Sequence, residues 1–227
     1  MSVLVRGVSC KLNAQLKVHD KMQCEFINVA AHELRNTIQP ILGLSQILRS
    51  KKEDTGIQER LLDVMIRNAK RLQKLTEDIS DVTRIESQSL HLNKEQFKVG
   101  EMLLTAIADS GTQVKNGYKD NNIKFELDVK EDILVEADRK RVNQVISNLL
   151  NNAIKFTKQE GIISMEAEKK DNEVIISVKD NGRGIDPQII PRLFTKFATK
   201  SDTGTGLGLF ISKSIVEAHG GRIGAEK

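Results

Sequence analysis

The sequence predicts two folds in series: a long α-helical hairpin that forms a dimeric four-helix bundle, then an α/β sandwich. Three observations carry this. Residues 1–95 hold three Gly, one Pro and one aromatic residue, whereas residues 182–224 alone hold eight Gly, and a segment poor in chain breakers reads as long helices. Apolar residues of the first segment recur at steps of three and four. In two stretches of the second they alternate with polar ones, the strand period.

From about Asn13 to Arg49 the apolar stripe is Leu16, Phe26, Val29, Ile41, Leu44 and Leu48. A helix of ~37 residues would be ~55 Å long, too long for a compact monomer to bury alone. Lys51 to Gly56 is polar and makes the turn. Between 58 and 88, Leu61, Leu62, Met65, Ala69, Leu72, Leu75, Ile79, Val82 and Ile85 form a coiled-coil-like stripe. An antiparallel hairpin buries only one such stripe, so two hairpins associate and a homodimer is expected. From about Phe97 the pattern is mixed. Met102 to Val114 reads as helix, Ile123 to Val129 and Glu173 to Asp180 as half-buried strands, Ile162 to Ala167 as a further strand and Ile133 to Val135 as a short one. Arg139 to Phe156 is a strong helix with Asp138 as its N-cap. Leu207 to Ala218 is a last helix, stopped by Gly220 and Gly221. One sheet covered by these helices makes an α/β sandwich of about 130 residues. The expected domains are 1–95, with a signalling helix ending over about 1–20, and 96–227.

Composition narrows the function. With 39% hydrophobic and 29% charged residues, the chain buries a core and is not disordered. No run approaches the ~18 apolar residues of a membrane span, and no signal peptide opens the chain. Cys10 and Cys24 form neither a disulfide framework nor a metal-ligand pair. A reduced, cytoplasmic setting, or the cytoplasmic face of a membrane, is therefore expected. The net charge of +4 comes with one Tyr, no Trp and no Lys/Arg block, so nucleic acid is not implied.

Four blocks carry chemistry. His32 lies in Ala30-Ala31-His32-Glu33-Leu34-Arg35-Asn36. Alone it is an ordinary solvated histidine, but Asn36 sits one helical turn on, on the same face, and Glu33 is adjacent. A neutral imidazole is a competent nucleophile, and a carboxylate can take or orient its proton. Asn148 and Asn152 stand four apart on the 139–156 helix, followed by Lys155. Polar residues facing solvent would explain them, yet Asn is a mediocre helix former. Carbonyl oxygens on one helix face suit a hard cation such as Mg²⁺, with Lys155 in reach of phosphate. Asp180-Asn181-Gly182-Arg183-Gly184 follows a strand; a hairpin turn is the plain reading, and the second glycine suggests a loop on which something packs closely. Gly204-Thr205-Gly206-Leu207-Gly208 precedes a helix, and its backbone amides make an anion cradle. Its spacing is neither the dinucleotide fingerprint nor a Walker A loop. Between them, Phe194 to Asp202, with Lys200, reads as a polar lid with Phe194 and Phe197 packed beneath.

In this order the blocks resemble a sensor histidine kinase over essentially the whole chain. His32-Glu33-Leu34-Arg35 is similar to the phospho-acceptor H box, Asn148 to Thr157 to the N box, Asp180 to Gly184 and Gly204 to Gly208 to the two glycine boxes, and Phe194 to Phe197 to the F box. The resemblance implies a dimerisation and phosphotransfer hairpin joined to an ATP-binding domain of the gyrase, Hsp90, histidine kinase and MutL superfamily. It implies that Asn152 ligates Mg²⁺ with Asn148 beside it, and that Lys155 contacts phosphate. Asp180 receives the adenine amino group, Gly182 and Gly184 line the base pocket, and Lys200, Gly204, Thr205, Gly206, Leu207 and Gly208 hold the triphosphate. His32 then attacks the γ-phosphate with Glu33 as base, and the phosphoryl group passes to an aspartate of a response-regulator receiver domain. Asn36 stands where relatives position a water to dephosphorylate that regulator.

Three departures stand out. The usual Arg-Thr-Pro-Leu is Arg35-Asn36-Thr37-Ile38 here, with the proline displaced to Pro40, which moves any bend about one turn along. No sensor domain is present, and the chain stops at Lys227 before the last strand of relatives, as a fragment would. Among rivals, an ATPase of the same superfamily places a water-activating glutamate four residues before the metal-binding Asn. Asn148 stands there instead, which favours phosphotransfer. A catalytically silent scaffold is disfavoured because every motif residue is present, and a related serine kinase would lack the hairpin.

Overall fold

The computed structural model describes residues 26–49, 55–115, 123–130, 132–157, 160–198 and 205–226. Cys10, Cys24, Lys200 and Gly204 lie outside them. The chain divides into two compact units, residues 1–80 and 81–227.

The first unit is the hairpin. Helix α1 spans 26–49 and α2 spans Thr55–Glu86, so the boundary between units falls inside α2. Pro40 does not interrupt α1, which stays helical to 49. Thr37 is buried, and its hydroxyl donates to the Glu33 carbonyl at 2.7 Å. Ile27, Ile38 and Leu42 on α1 and Ile57, Leu62 and Ile66 on α2 remain exposed.

The second unit takes in the last residues of α2 and then β1 (Glu95–Lys98), α3 (Val99–Lys115), β2 (Lys124–Val129), β3 (Leu134–Ala137), α4 (Arg139–Phe156), β4 (Ile162–Lys170), β5 (Glu173–Asp180), a 3₁₀ turn at Ile190–Arg192 and α5 (Gly208–Ala218). The single sheet expected from the sequence is two. β4 is central, parallel to β2 and antiparallel to β5, while β1 pairs antiparallel with β3 in a separate ribbon. Strand β1 carries one buried side chain, Phe97, and four residues are too few to show a period. Inward residues of β4 (Ile163, Met165, Ala167) meet Met102, Leu103 and Ala106 of α3 and Ile146, Leu150 and Ala153 of α4.

Polar contacts fix the start of α4. Asp138 Oδ1 accepts the Arg141 backbone N–H at 3.0 Å, the expected N-cap. Its Oδ2 accepts from the Asn93 N–H at 2.9 Å, and its own N–H donates to His219 Nε2 at 3.0 Å. His219 Nδ1 in turn lies 2.8 Å from the Ile215 carbonyl at the end of α5, so this histidine closes one helix and ties it to the next. Arg141 and Gln144 both bind the carboxylate of buried Asp81, each at 2.7 Å.

Burial alone would raise the Asp138 pKa, but the Asn93 and Arg141 N–H groups, with the Arg141 charge and the neighbouring His219, outweigh it and hold the carboxyl below its ordinary value. A depressed carboxyl stabilises the fold above its unfolded pKa of about 4, and that contribution is lost as the pH falls through the folded value. Asp138→Asn should therefore cost about 1–2 kcal/mol at pH 7 in urea titrations. The gap to the parent should shrink as the pH is lowered below 4, and a gap that stays constant would refute the charge-based account.

Candidate functional site

On the hairpin, His32 and Asn36 are exposed and one turn apart, with Asn36 Nδ2 3.0 Å from His32 Nδ1. That contact engages Nδ1; among the described residues Nε2 has no partner. Glu33 points elsewhere, as adjacent helical residues do. Its Oε2 accepts from Arg71 Nη2 of α2 at 2.8 Å, with Glu33 14% and Arg71 40% exposed. Arg71 is a contact that sequence reasoning missed, because nothing in the α2 stripe separates this basic residue from its neighbours.

In the second unit, α4 carries Asn148, Asn152 and Lys155, and two glycine-bearing segments come against it. Gly182 lies so close to the end of α4 that a Cβ there would stand 2.4 Å from the Phe156 carbonyl oxygen and 2.7 Å from Asp180 Oδ1. The segment Asp180–Gly184 is thus a loop pressed on α4 rather than a plain hairpin turn. Asp180 Oδ1 accepts the Gly182 N–H at 2.9 Å, the local turn that Asp makes two residues on. Asp180 is exposed at the mouth of this loop. Asn181 Oδ1 accepts from the Ile162 N–H at 2.9 Å and secures the loop to the start of β4. Gly184 turns the chain at φ +72°.

At the other end, a Cβ on Gly208 would stand 2.4 Å from Asn148 Oδ1 and 2.6 Å from its Nδ2. Gly206 at φ +66° has its Cα against the Phe197 backbone, where a Cβ would come within 2.7 Å. The Phe197 N–H donates to the Gly206 carbonyl at 3.0 Å. The F-box segment and the second glycine segment are therefore in backbone contact. Leu207 is buried, and its N–H reaches the Thr205 hydroxyl at 3.3 Å. Phe194 and Phe197 are half-buried. Lys196 stands over the Phe210 ring at 5.2 Å and pairs with Glu86 at the end of α2.

Asn152 and Lys155 are half-buried. The Lys155 ammonium lies 5.3 Å from the Phe156 ring centroid, and the Arg183 guanidinium stands 4.8 Å from the same centroid. The structure thus sets Asn148, Asn152 and Lys155 on α4, with Gly182 against Phe156 and Gly208 against Asn148, while Gly206 meets Phe197 and Gly184 meets open space. Phe156, Arg183 and Ser212 join them, and these three the sequence did not single out. Among the described residues no three His, Cys, Asp or Glu side chains gather to hold a metal ion, and no helix is long and apolar enough to cross a membrane.

Residues 137–227 match the family described as histidine kinase-, DNA gyrase B- and HSP90-like ATPase, and residues 22–88 match the His Kinase A (phospho-acceptor) domain. The sensor protein KdpD of Clostridium acetobutylicum is 31% identical over 215 residues, 91% of this chain and 23% of that protein. Across three such relatives the chain spans 23% to 36% of their length. Among solved structures, the histidine kinase AdeS of Acinetobacter baumannii is 28% identical with a TM-score of 0.65, covering 82% of this chain and 86% of that one. The histidine kinase ThkA in complex with the response regulator protein TrrA is 26% identical with a TM-score of 0.66, covering 95% and 60%.

The two loop glycines of the 180–184 segment differ in what they demand. Gly184→Ala meets open space and should cost about 1 kcal/mol for its left-handed backbone. Gly182→Ala must push against the α4 main chain and should cost about 2–3 kcal/mol. Denaturant titrations of the two variants test this, and equal losses would contradict the close approach.

Proposed function

We propose that this chain, a member of the sensor histidine kinase family, is the core that moves the γ-phosphoryl group of ATP first to His32 and then to an aspartate of a receiver domain. Residues 1–95 form the dimerisation and phosphotransfer part and residues 96–227 the ATP-binding part. The observation that carries the reading is the arrangement at His32: an exposed imidazole on a two-helix hairpin, with Nδ1 engaged by Asn36. Nε2 is then the attacking nitrogen. With Asn36 Nδ2 at Nδ1, the amide donates and the ring proton sits on Nε2; attack needs the Nε2 lone pair, so the ring must take the other tautomer, with its proton on Nδ1 and the Asn36 amide turned to present Oδ1 to it. The Nε2–P bond forms as the bond from the γ-phosphorus to the β–γ bridging oxygen breaks, and ADP leaves. Glu33 accepts the ring proton once its pair with the partly exposed Arg71 opens. The work is positioning and electrostatics, as in phosphoryl transfer generally.

ATP use accords with the ATPase-like family of residues 137–227. Asp180, with Oδ1 fixed by the Gly182 N–H, presents its other oxygen to the adenine amino group. Gly182 and Gly184 leave room for the base, and the amides of 205–208, which lead into α5, face the phosphates, with Gly204 preceding them in sequence and Lys155 and Lys200 as cations. Mg²⁺ fits the residues present: the Asn148 amide sits at the Gly208 backbone with its nitrogen occupied, and Asn152 is one turn on. Two amide oxygens and substrate phosphates suit an ion that keeps most of its waters. When bound, the ion neutralises phosphate charge. The exposed apolar residues of α1 and α2, Ile27, Leu42, Leu62 and Ile66 among them, support a second copy of the chain as the hairpin's partner. Asn36 is placed to orient a water for dephosphorylation of the regulator, and Asn36→Ala should abolish that reaction while leaving autophosphorylation measurable.

The direct experiment follows label from the γ-phosphate of Mg-ATP onto the full chain. Acid-labile, alkali-stable label is expected, lost at least 100-fold in His32→Gln and in Asp180→Ala, two orders being about 2.7 kcal/mol. Label that survives His32→Gln would overturn the phospho-acceptor assignment.

A further inference from the structure

We infer that Ser212 is a positioning residue for Asn148, holding its side-chain amide with the nitrogen toward the hydroxyl and the carbonyl oxygen left to serve a cation. This rests on the reading of Asn148 and Asn152 as the metal side of the nucleotide site. Ser212 lies on α5, one turn beyond Gly208, and is 1% exposed. Its Oγ accepts from Asn148 Nδ2 at 2.9 Å, across the gap between α4 and α5. Gly208 brings its backbone against the same amide, so closely that any Cβ would overlap it at 2.4–2.9 Å. The amide is therefore wedged, with the glycine backbone against it and the serine hydroxyl at its nitrogen end.

The chemistry of the two ends differs. A side-chain amide nitrogen only donates, and a hard cation takes oxygen. With Nδ2 committed to Ser212, Oδ1 is the atom left to serve a metal. Groups that hydrogen-bond to ligating side chains commonly change metal affinity by about 10–100-fold when removed. A buried serine that merely joined two helices would affect stability and leave the metal dependence of nucleotide binding alone, so the two roles separate by experiment.

The test titrates Mg²⁺ into the full chain in the presence of a fluorescent ATP analogue, with a parallel titration of the analogue in EDTA. Ser212→Ala should raise the Mg²⁺ concentration for half-maximal enhancement of analogue binding by about tenfold, with affinity in EDTA within twofold of the parent. Ser212→Cys, close in volume and a weak acceptor, should shift it in the same direction and guards against loss of folding in the alanine variant; thermal melts report the fold of each. An unchanged Mg²⁺ midpoint in folded variants overturns the proposal and leaves Ser212 a structural contact. An equal loss of affinity with and without Mg²⁺ also overturns it, since the hydroxyl then supports the pocket as a whole. If the parent chain itself binds the analogue without any response to Mg²⁺, the metal reading of the two asparagines fails, and Ser212 with it.

Discussion

The second unit of this protein depends on a steric constraint: main chain must come close to α4 at both ends of the stretch that carries Asn148, Asn152 and Lys155. Phe156, at the last turn, has its carbonyl where any side chain at 182 would be, and Asn148, two turns earlier, has its amide where any side chain at 208 would be. At 182 only glycine permits the approach, because the main chain cannot give way; at 208 a side chain would force the Asn148 amide to move. At Gly182 the contact is with the α4 main chain itself, and at Gly208 it is with the Asn148 side-chain amide, so α4 sets where both segments lie. A helix that supplies asparagines and a lysine thereby also sets the position of the segment that carries Asp180 and of the segment whose amides open α5.

Such a helix must itself be fixed, and the polar contacts at its start do this. Asp138 is buried with three hydrogen bonds from or to separate parts of the chain: Asn93 before β1, Arg141 on α4 and His219 at the end of α5. Asp81, buried at the end of α2, is met by Arg141 and Gln144. A buried carboxylate left without partners is costly, whereas one with each oxygen bonded costs little relative to its alternatives and specifies geometry sharply. Both carboxylates are of the second kind. The start of α4 is thus held in register with the end of α5, and the Asn148 to Ser212 contact ties the same two helices further along.

Much of this was legible in the sequence, and the reasons for the rest are physical. Arg139–Phe156 and its Asp138 cap were read correctly because a long amphipathic period and a capping residue are local signals. Glu173–Asp180 was read to the residue because alternation over eight positions is unambiguous. Of the β1–β3 ribbon only the second strand is legible, as Ile133 to Val135, since Glu95–Lys98 is too short for a period and pairs with residues some forty positions away. Close packing is expected from the second glycine of the loop, Gly184, yet Gly184 meets open space and it is Gly182 that is pressed on α4, because which backbone a loop touches is a tertiary fact. Ser212 and Arg71 were invisible for the same reason. A serine in an apolar helix and an arginine on a charged one gain meaning only from what lies across from them.

The region around His32 shows how one local substitution moves a weak point along a helix. Where the H-box pattern that this segment resembles has proline, directly after the position of Asn36, this chain has Thr37, which keeps its N–H and adds a hydroxyl bonded to the Glu33 carbonyl. That back-bond lets a buried threonine satisfy itself without leaving the helix. The missing donor falls instead at Pro40, so it is the Asn36 carbonyl that loses its partner four residues on. His32 and Asn36 therefore share an intact turn, and the break in the ladder begins just after them. The proline costs the helix one bond, but the pairing of Asn36 with the imidazole, which needs an undisturbed four-residue step, is kept on the regular side of it.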